Sequence, residues 1–130
     1  MQPANVVALN NLAYALAIRR NAPAEALPLA RRAVGLAPRA GTVIDTLAWV
    51  EHLLGNHEVA ARLFEQAVHF EPNQPEIRLH AATVYLAIGK TGQAELMLKE
   101  ALRLDPALEA RDDVRKLRER IAALKPTKTA

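Results

Sequence analysis

Gly89-Lys90-Thr91 is the order of residues with which a phosphate-binding loop ends. In such a loop the backbone amides wrap the phosphates and the lysine neutralises them. The loop also needs a glycine five residues ahead of its second glycine, and it must follow a strand. Here the earlier position is Val84, and the residues before Gly89 carry a helical apolar period. Nucleotide binding is therefore not expected, and Lys90 reads as the polar tip of a turn.

Other reactive groups are sparse. His52, His57, His69 and His80 form no i, i+4 pair that would seat zinc on one helix face, and the chain has no cysteine to complete such a site. With neither cysteine nor serine, thiolate and seryl nucleophiles are excluded. Asp112 and Asp113 are adjacent in a strongly charged segment, where solvation is the ordinary fate of a carboxylate. The sequence thus predicts no catalytic residue, no metal and no cofactor.

What must position any remaining function is a repeat. Pro38, Pro72 and Pro106 are 34 residues apart. Ala26, Ala60 and Ala94 keep the same step, as do Ala33, Ala67 and Ala101, and Gly55 and Gly89. Leu36, Phe70 and Leu104 each precede a proline by two residues. Each unit reads as two helices. They are expected near 4–20 and 23–36, near 42–54 and 57–70, and near 75–88 and 91–104, with left-handed turns at Gly55 and Gly89. The first turn, around Asn21-Ala22, is expected to be one residue longer. Two antiparallel helices approach closely only where side chains are small, which explains the alanines two turns apart; Phe64 and Leu98 would fill the space between. The prolines stop each second helix by forcing the residue before them out of the helical region.

This pattern resembles the tetratricopeptide repeat. That family has a small residue within the first helix, glycine at the turn, then alanine, a large residue and alanine along the second helix, and a closing proline. Leu47-Ala48, Gly55, Ala60, Phe64, Ala67 and Pro72 match it. So do Ala81-Ala82, Tyr85, Gly89, Ala94, Leu98, Ala101 and Pro106. Leu12-Ala13, Ala26, Ala33 and Pro38 match it in the first copy, which departs with Asn21 at the glycine and Ala30 at the large residue. The resemblance implies an all-α, right-handed α-solenoid of three helix-turn-helix repeats at 4–38, 41–72 and 75–106. A capping helix over 107–124 and a frayed tail over 125–130 complete the expectation. The segments ALNNLAYALA, IDTLAWVEHLLG and PEIRLHAATVYLAIGK are also similar to terminal repeats of bacterial envelope proteins linked to exopolysaccharide export and protein sorting.

The two ends differ. Val114, Leu117, Ile121 and Leu124 make one apolar stripe among charges, suited to closing a repeat stack. Residues 1–18 carry no charge at all, unlike the polar outer face expected of a terminal helix. The expectation is that this helix is interior to a longer array or self-associates. Residues 1–40 hold five arginines against Glu25, whereas residues 41–106 hold five basic and nine acidic groups. No continuous basic stripe with interleaved aromatics results, so nucleic acid is not the expected partner. No apolar run is long enough to cross a bilayer and no leader pattern opens the chain, so a soluble protein is expected, its compartment left open between the cytoplasm and, for a piece of an exported parent, the periplasm.

The resemblance further implies a concave groove lined by the first helix of each pair. It assigns to that groove Val7, Asn10, Asn11, Tyr14, Ala17 and Ile18, then Thr42, Asp45, Thr46, Trp49, His52 and Leu53, then Glu76, Leu79, His80, Thr83, Leu86 and Ala87. From these, Asn10, Asn11, Tyr14, Asp45, Thr46, Trp49, His52, Leu79, His80 and Thr83 are the candidate contacts. Tyr14, Trp49 and Leu79 would be the anchors, and the asparagines, Asp45 and the histidines would orient a bound peptide or helix. Places that hold lysine, asparagine and arginine in chaperone-tail clamps are here Asn10, Tyr14, Thr46, Glu76 and His80; the basic pair is missing and Glu76 would repel a carboxylate, so a C-terminal carboxylate is not the expected ligand. The function implied is a non-enzymatic protein-interaction scaffold. The alternative is an assembly subunit that docks through its uncharged first helix.

Overall fold

The computed structural model describes residues 3–124; the expected tail at 125–130 lies outside the described residues. Among the described residues the regular structure is helical throughout, with no strand through Gly89 or elsewhere. The helices are α1 (Pro3–Tyr14), α2 (Pro23–Leu36), α3 (Gly41–Leu53), α4 (His57–Phe70), α5 (Pro75–Ala87), α6 (Thr91–Leu104) and α7 (Asp112–Leu124). Contacts divide the chain into two compact units that meet at Pro72 and Asn73.

In the first unit α1 packs on α2, α2 on α3 and α3 on α4. Ala26, Ala33, Ala60 and Ala67 are wholly buried, as their spacing requires if each hairpin closes over small side chains. Phe64 is buried between them on α4. Its counterpart Ala30 is buried too, in a cluster with Ala13, Ala17, Ala26, Leu47 and Val50, and Leu16, Leu27 and Leu29 pack around it. Aliphatic neighbours thus fill the volume that a large residue supplies in the next repeat. Gly41 has a role that its sequence did not announce. A Cβ there would sit 2.8 Å from the Ala67 carbonyl oxygen and from the Glu71 side chain, so α3 starts in direct contact with the end of α4.

Helix ends follow from residue type. Ala37, Glu71 and Asp105 leave the helical region with φ of −139°, −134° and −146°, each directly before a proline. Gly55 and Gly89 turn the chain at φ +88° and +78°, and Asn21 takes the same left-handed role at φ +51°. A Cβ is disfavoured in that region, and asparagine tolerates it best. Gly55→Ala and Gly89→Ala are each expected to cost about 1 kcal/mol. Asn21→Gly should be neutral or slightly stabilising; urea unfolding of the three variants checks both.

The first hairpin corrects the sequence expectation. The turn Arg20-Asn21-Ala22 is no longer than Leu54-Gly55-Asn56. The extra residue is instead absorbed inside the helix, as a π-helical turn over Ala15–Arg19. The amide of Ala22 reaches back to the carbonyl of Leu16, whereas those of Asn56 and Lys90 reach Glu51 and Tyr85, one residue fewer. The insertion keeps Ala13, Ala48 and Ala82 equivalent, and all three are wholly buried. It also rotates Ala17 into the core, away from the groove face expected for it.

In the second unit α5 packs on α6, and α7 packs on α6 and touches α5. Ala94, Leu98 and Ala101 are buried on α6, and Val114, Leu117 and Ile121 are buried on α7. The segment expected as one helix over 107–124 is broken. Pro106–Ala110 is a 3₁₀ turn started by Asp105, whose carboxylate accepts from the Ala107 amide at 3.2 Å. Arg111 then runs extended, and its guanidinium pairs with Asp113 and with Glu76 of α5. The Arg111 hydrogen bond holds the Asp113 carboxyl below its ordinary range. A lowered folded value means that this contribution is present above the ordinary carboxylate range and is lost as pH falls through the lowered one. Because the pair is largely exposed, the effect is at most about 1 kcal/mol. Acid titration of helicity should show a small step at low pH that Arg111→Ala removes.

Candidate interaction cleft

The π turn, the end of α1 and the first half of α3 bound a cleft of about 500 Å³ in the first unit. Asn10, Asn11, Tyr14, Ala15, Arg19, Thr42, Asp45 and Thr46 line it. Five of the ten sequence candidates are therefore brought together: Asn10, Asn11, Tyr14, Asp45 and Thr46. Arg19 was missed as a lining residue. It enters the wall through the π turn, and no spacing in the sequence signals that distortion.

The polar groups are unequal in what they leave for a ligand. Thr46 is buried and its hydroxyl donates to the Thr42 carbonyl at 3.2 Å, so it shapes the floor and has no hydrogen to offer outward. The Thr42 amide donates to Glu71 Oε1 at 3.3 Å, which satisfies one of the free amides at the start of α3. Tyr14 is exposed, and Asn11 with it. Asn10 is half-buried, yet its Oδ1 is buried with no hydrogen-bond partner among the described residues. A buried acceptor left so costs about 1–3 kcal/mol. The wall of the cleft thus holds a side chain with an unsatisfied acceptor, and Arg19 and Asp45 line the same cleft with charges of opposite sign.

Farther along α3, Trp49 and His52 are half-buried with ring centroids 4.9 Å apart. His52 in turn faces His57 across the turn, at 4.7 Å between rings, with Nδ1 to Nδ1 at 2.8 Å. One imidazole must donate and the other accept. Their separation of five residues hid the pair from a search for helical i, i+4 spacing, although the turn between them was legible. Among the described residues no group of three or more histidines, cysteines or carboxylates converges as a metal site.

The remaining candidates belong to the second unit. Leu79 is only 5% exposed and cannot act as a surface anchor, and Leu86 is buried as well. Both sides of α5 are largely covered, so the helix-face assignment overstated what it leaves open. His80 and Thr83 are half-buried, and the Thr83 hydroxyl donates to the Leu79 carbonyl at 3.1 Å. Glu76 is paired with Arg111, which offsets part of its charge.

The profile of the tetratricopeptide repeat matches residues 51–121, more than half of the chain. The chain belongs to the tetratricopeptide repeat family. Solved structures of similar fold are also repeat proteins. One is the Yersinia enterocolitica type III secretion chaperone SycD with a peptide of the translocator YopD (TM-score 0.73, 17% identity, covering 95% of this chain and 91% of that one). Another is the first repeat domain of Spaghetti (RPAP3) bound to the HSP90 peptide SRMEEVD (TM-score 0.81, 16% identity, 95% and 96%). A third is PcrH with the chaperone-binding region of PopD (TM-score 0.73, 19% identity, 95% and 90%). At these identities the likeness establishes the fold of the repeat chain. No curated protein sequence matches it. Among the described residues, no helix of this tetratricopeptide repeat protein is long and apolar enough to cross a membrane.

Proposed function

We propose that this protein is a non-enzymatic interaction scaffold that binds a peptide or helix of a partner protein in the α1–α3 cleft. The observation that carries the reading is Asn10 Oδ1, a buried acceptor without a partner at the wall of an otherwise built cleft. Rotation of the Asn10 amide toward the cleft brings this acceptor to a main-chain or side-chain N–H of a ligand and removes the penalty on binding. Tyr14 provides exposed aromatic area beside it on α1, and Trp49 and His52 continue the face of α3 that carries Asp45. The peptides seen on SycD, on the RPAP3 repeat domain and on PcrH support the reading by analogy of fold. On α5, His80 and Thr83 remain candidate contacts of the second unit.

The walls of the cleft combine Arg19 with Asp45 and contain no lysine. We therefore expect no preference for a free C-terminal carboxylate: the acid and amide forms of a bound peptide should have similar affinities.

A pull-down from native lysate tests the reading. Tyr14→Ala and Trp49→Ala should each lose the captured partner, with roughly 2 kcal/mol or more of binding removed by truncating an interface anchor. Both residues are incompletely buried, so helicity should be retained. A partner retained equally by both variants would place recognition elsewhere.

A further inference from the structure

The turn between α3 and α4 brings two imidazoles together without any demand from the fold. His52 stands in the last turn of α3, and His57 opens α4. Gly55, at φ +88°, reverses the chain between them. The Asn56 amide donates to the Glu51 carbonyl at 2.8 Å and the Gly55 amide to that of His52 at 2.9 Å, so the backbone is held on both sides of the pair. The turn at Gly89 makes the same two backbone bonds, yet it carries Leu86 and Thr91 at the places 34 residues on. The imidazoles are therefore an addition to the turn and not what forms it.

Their geometry is that of a chelate. The two Nδ1 atoms are 2.8 Å apart. With metal–nitrogen bonds of about 2.0 Å, adjacent corners of a square plane are about 2.8 Å apart and two corners of a tetrahedron about 3.3 Å. Ring direction agrees. Imidazoles aimed straight at each other over this gap would have centroids about 5.1 Å apart, and imidazoles meeting at one square-planar ion about 4.5 Å. The centroids are 4.7 Å apart, nearer the second value. A small swing of each ring turns both lone pairs onto a common point. The proton shared by the pair then moves to the Nε2 of the donating ring, so both Nδ1 atoms become ligands with no change in charge. Glu51, beside His52, is not a third ligand: its carboxylate accepts from Asn56 Nδ2 at 3.0 Å and lies 3.9 Å from Arg31. Both rings are half-buried, which leaves water to fill the other corners.

We propose that His52 and His57 form a two-histidine site for a square-planar divalent ion, Cu2+ ahead of Ni2+. The ordinary order of divalent affinities puts copper first, and the short bite disfavours tetrahedral zinc. The site does not rest on the reading of the α1–α3 cleft.

The test titrates Cu2+ into the full chain in a buffer that does not ligate metals. Trp49 is the single tryptophan, and its ring centroid lies 4.9 Å from that of His52, so a bound paramagnetic ion quenches its fluorescence. Quenching should saturate at one ion per chain, and the electron paramagnetic resonance spectrum should show two imidazole nitrogens. His52→Leu and His57→Thr place the residues of the Gly89 turn into the Gly55 turn, so each variant keeps a turn that this chain already builds; circular dichroism checks the fold. Each should bind at least about tenfold more weakly, because a second imidazole held by the same turn acts at high effective concentration. Zn2+ should bind the parent at least about tenfold more weakly than Cu2+. His69→Gln should leave the affinity unchanged. Absence of quenching, an affinity that neither turn variant lowers, a single nitrogen in the parent spectrum, zinc bound as tightly as copper, or loss of binding in His69→Gln would each overturn the proposal.

Discussion

Phe64→Ala is expected to remove about 3–5 kcal/mol of stability, the range measured for deleting a fully buried aromatic ring. Phe64 has no exposed surface and stands between Ala60 and Ala67, the two small residues that let α3 and α4 close. Small domains are typically stable by about 5–15 kcal/mol, so the variant would lose a large fraction of the total. Urea unfolding should show a lower midpoint. A loss below about 1 kcal/mol would mean that the ring does not fill the hairpin core, contrary to its burial.

Asn10→Leu should move stability and binding in opposite directions. Leucine has nearly the volume of asparagine plus a methyl group, and it carries no acceptor to strand. Removing the buried, unpartnered Oδ1 is expected to raise stability by up to about 1–3 kcal/mol. The same change deletes the group that a ligand N–H would satisfy, so partner affinity should fall by about tenfold or more. Such opposition is common where a site is kept for function at some cost in folding stability. If the variant were less stable than the parent, Asn10 Oδ1 would have to be hydrogen-bonded in solution, and the proposed role of that acceptor would be wrong. Thermal unfolding and a binding isotherm on one preparation decide it.

Much of the fold was legible because the repeat writes it three times. The alanines at the 34-residue step, the prolines that end α2, α4 and α6, and the turns at Gly55 and Gly89 follow from steric rules that act locally. The π turn at Ala15–Arg19 was not legible. An added residue can lodge in a loop or within a helix, and only packing of Ala13 and Ala17 into the core decides between them. Nor was the break at Arg111, where the chain runs extended although no proline or glycine stands between 107 and 124. The site was half legible. A position on a helix face located Asn10, Asn11, Tyr14 and Asp45 beside one cleft. It failed for Leu79 because burial depends on neighbours that periodicity does not identify. It missed Arg19 because the π turn brings that side chain to the cleft.

The most direct measurement of the central claim is photo-crosslinking in native lysate. A benzophenone amino acid replaces Tyr14 in the cleft, or Leu96, an exposed residue of the second unit. A partner seated in the cleft crosslinks from position 14 and not from position 96, and the Tyr14 adduct disappears in the Asn10→Leu background. Crosslinks from position 96 with none from position 14 would contradict it.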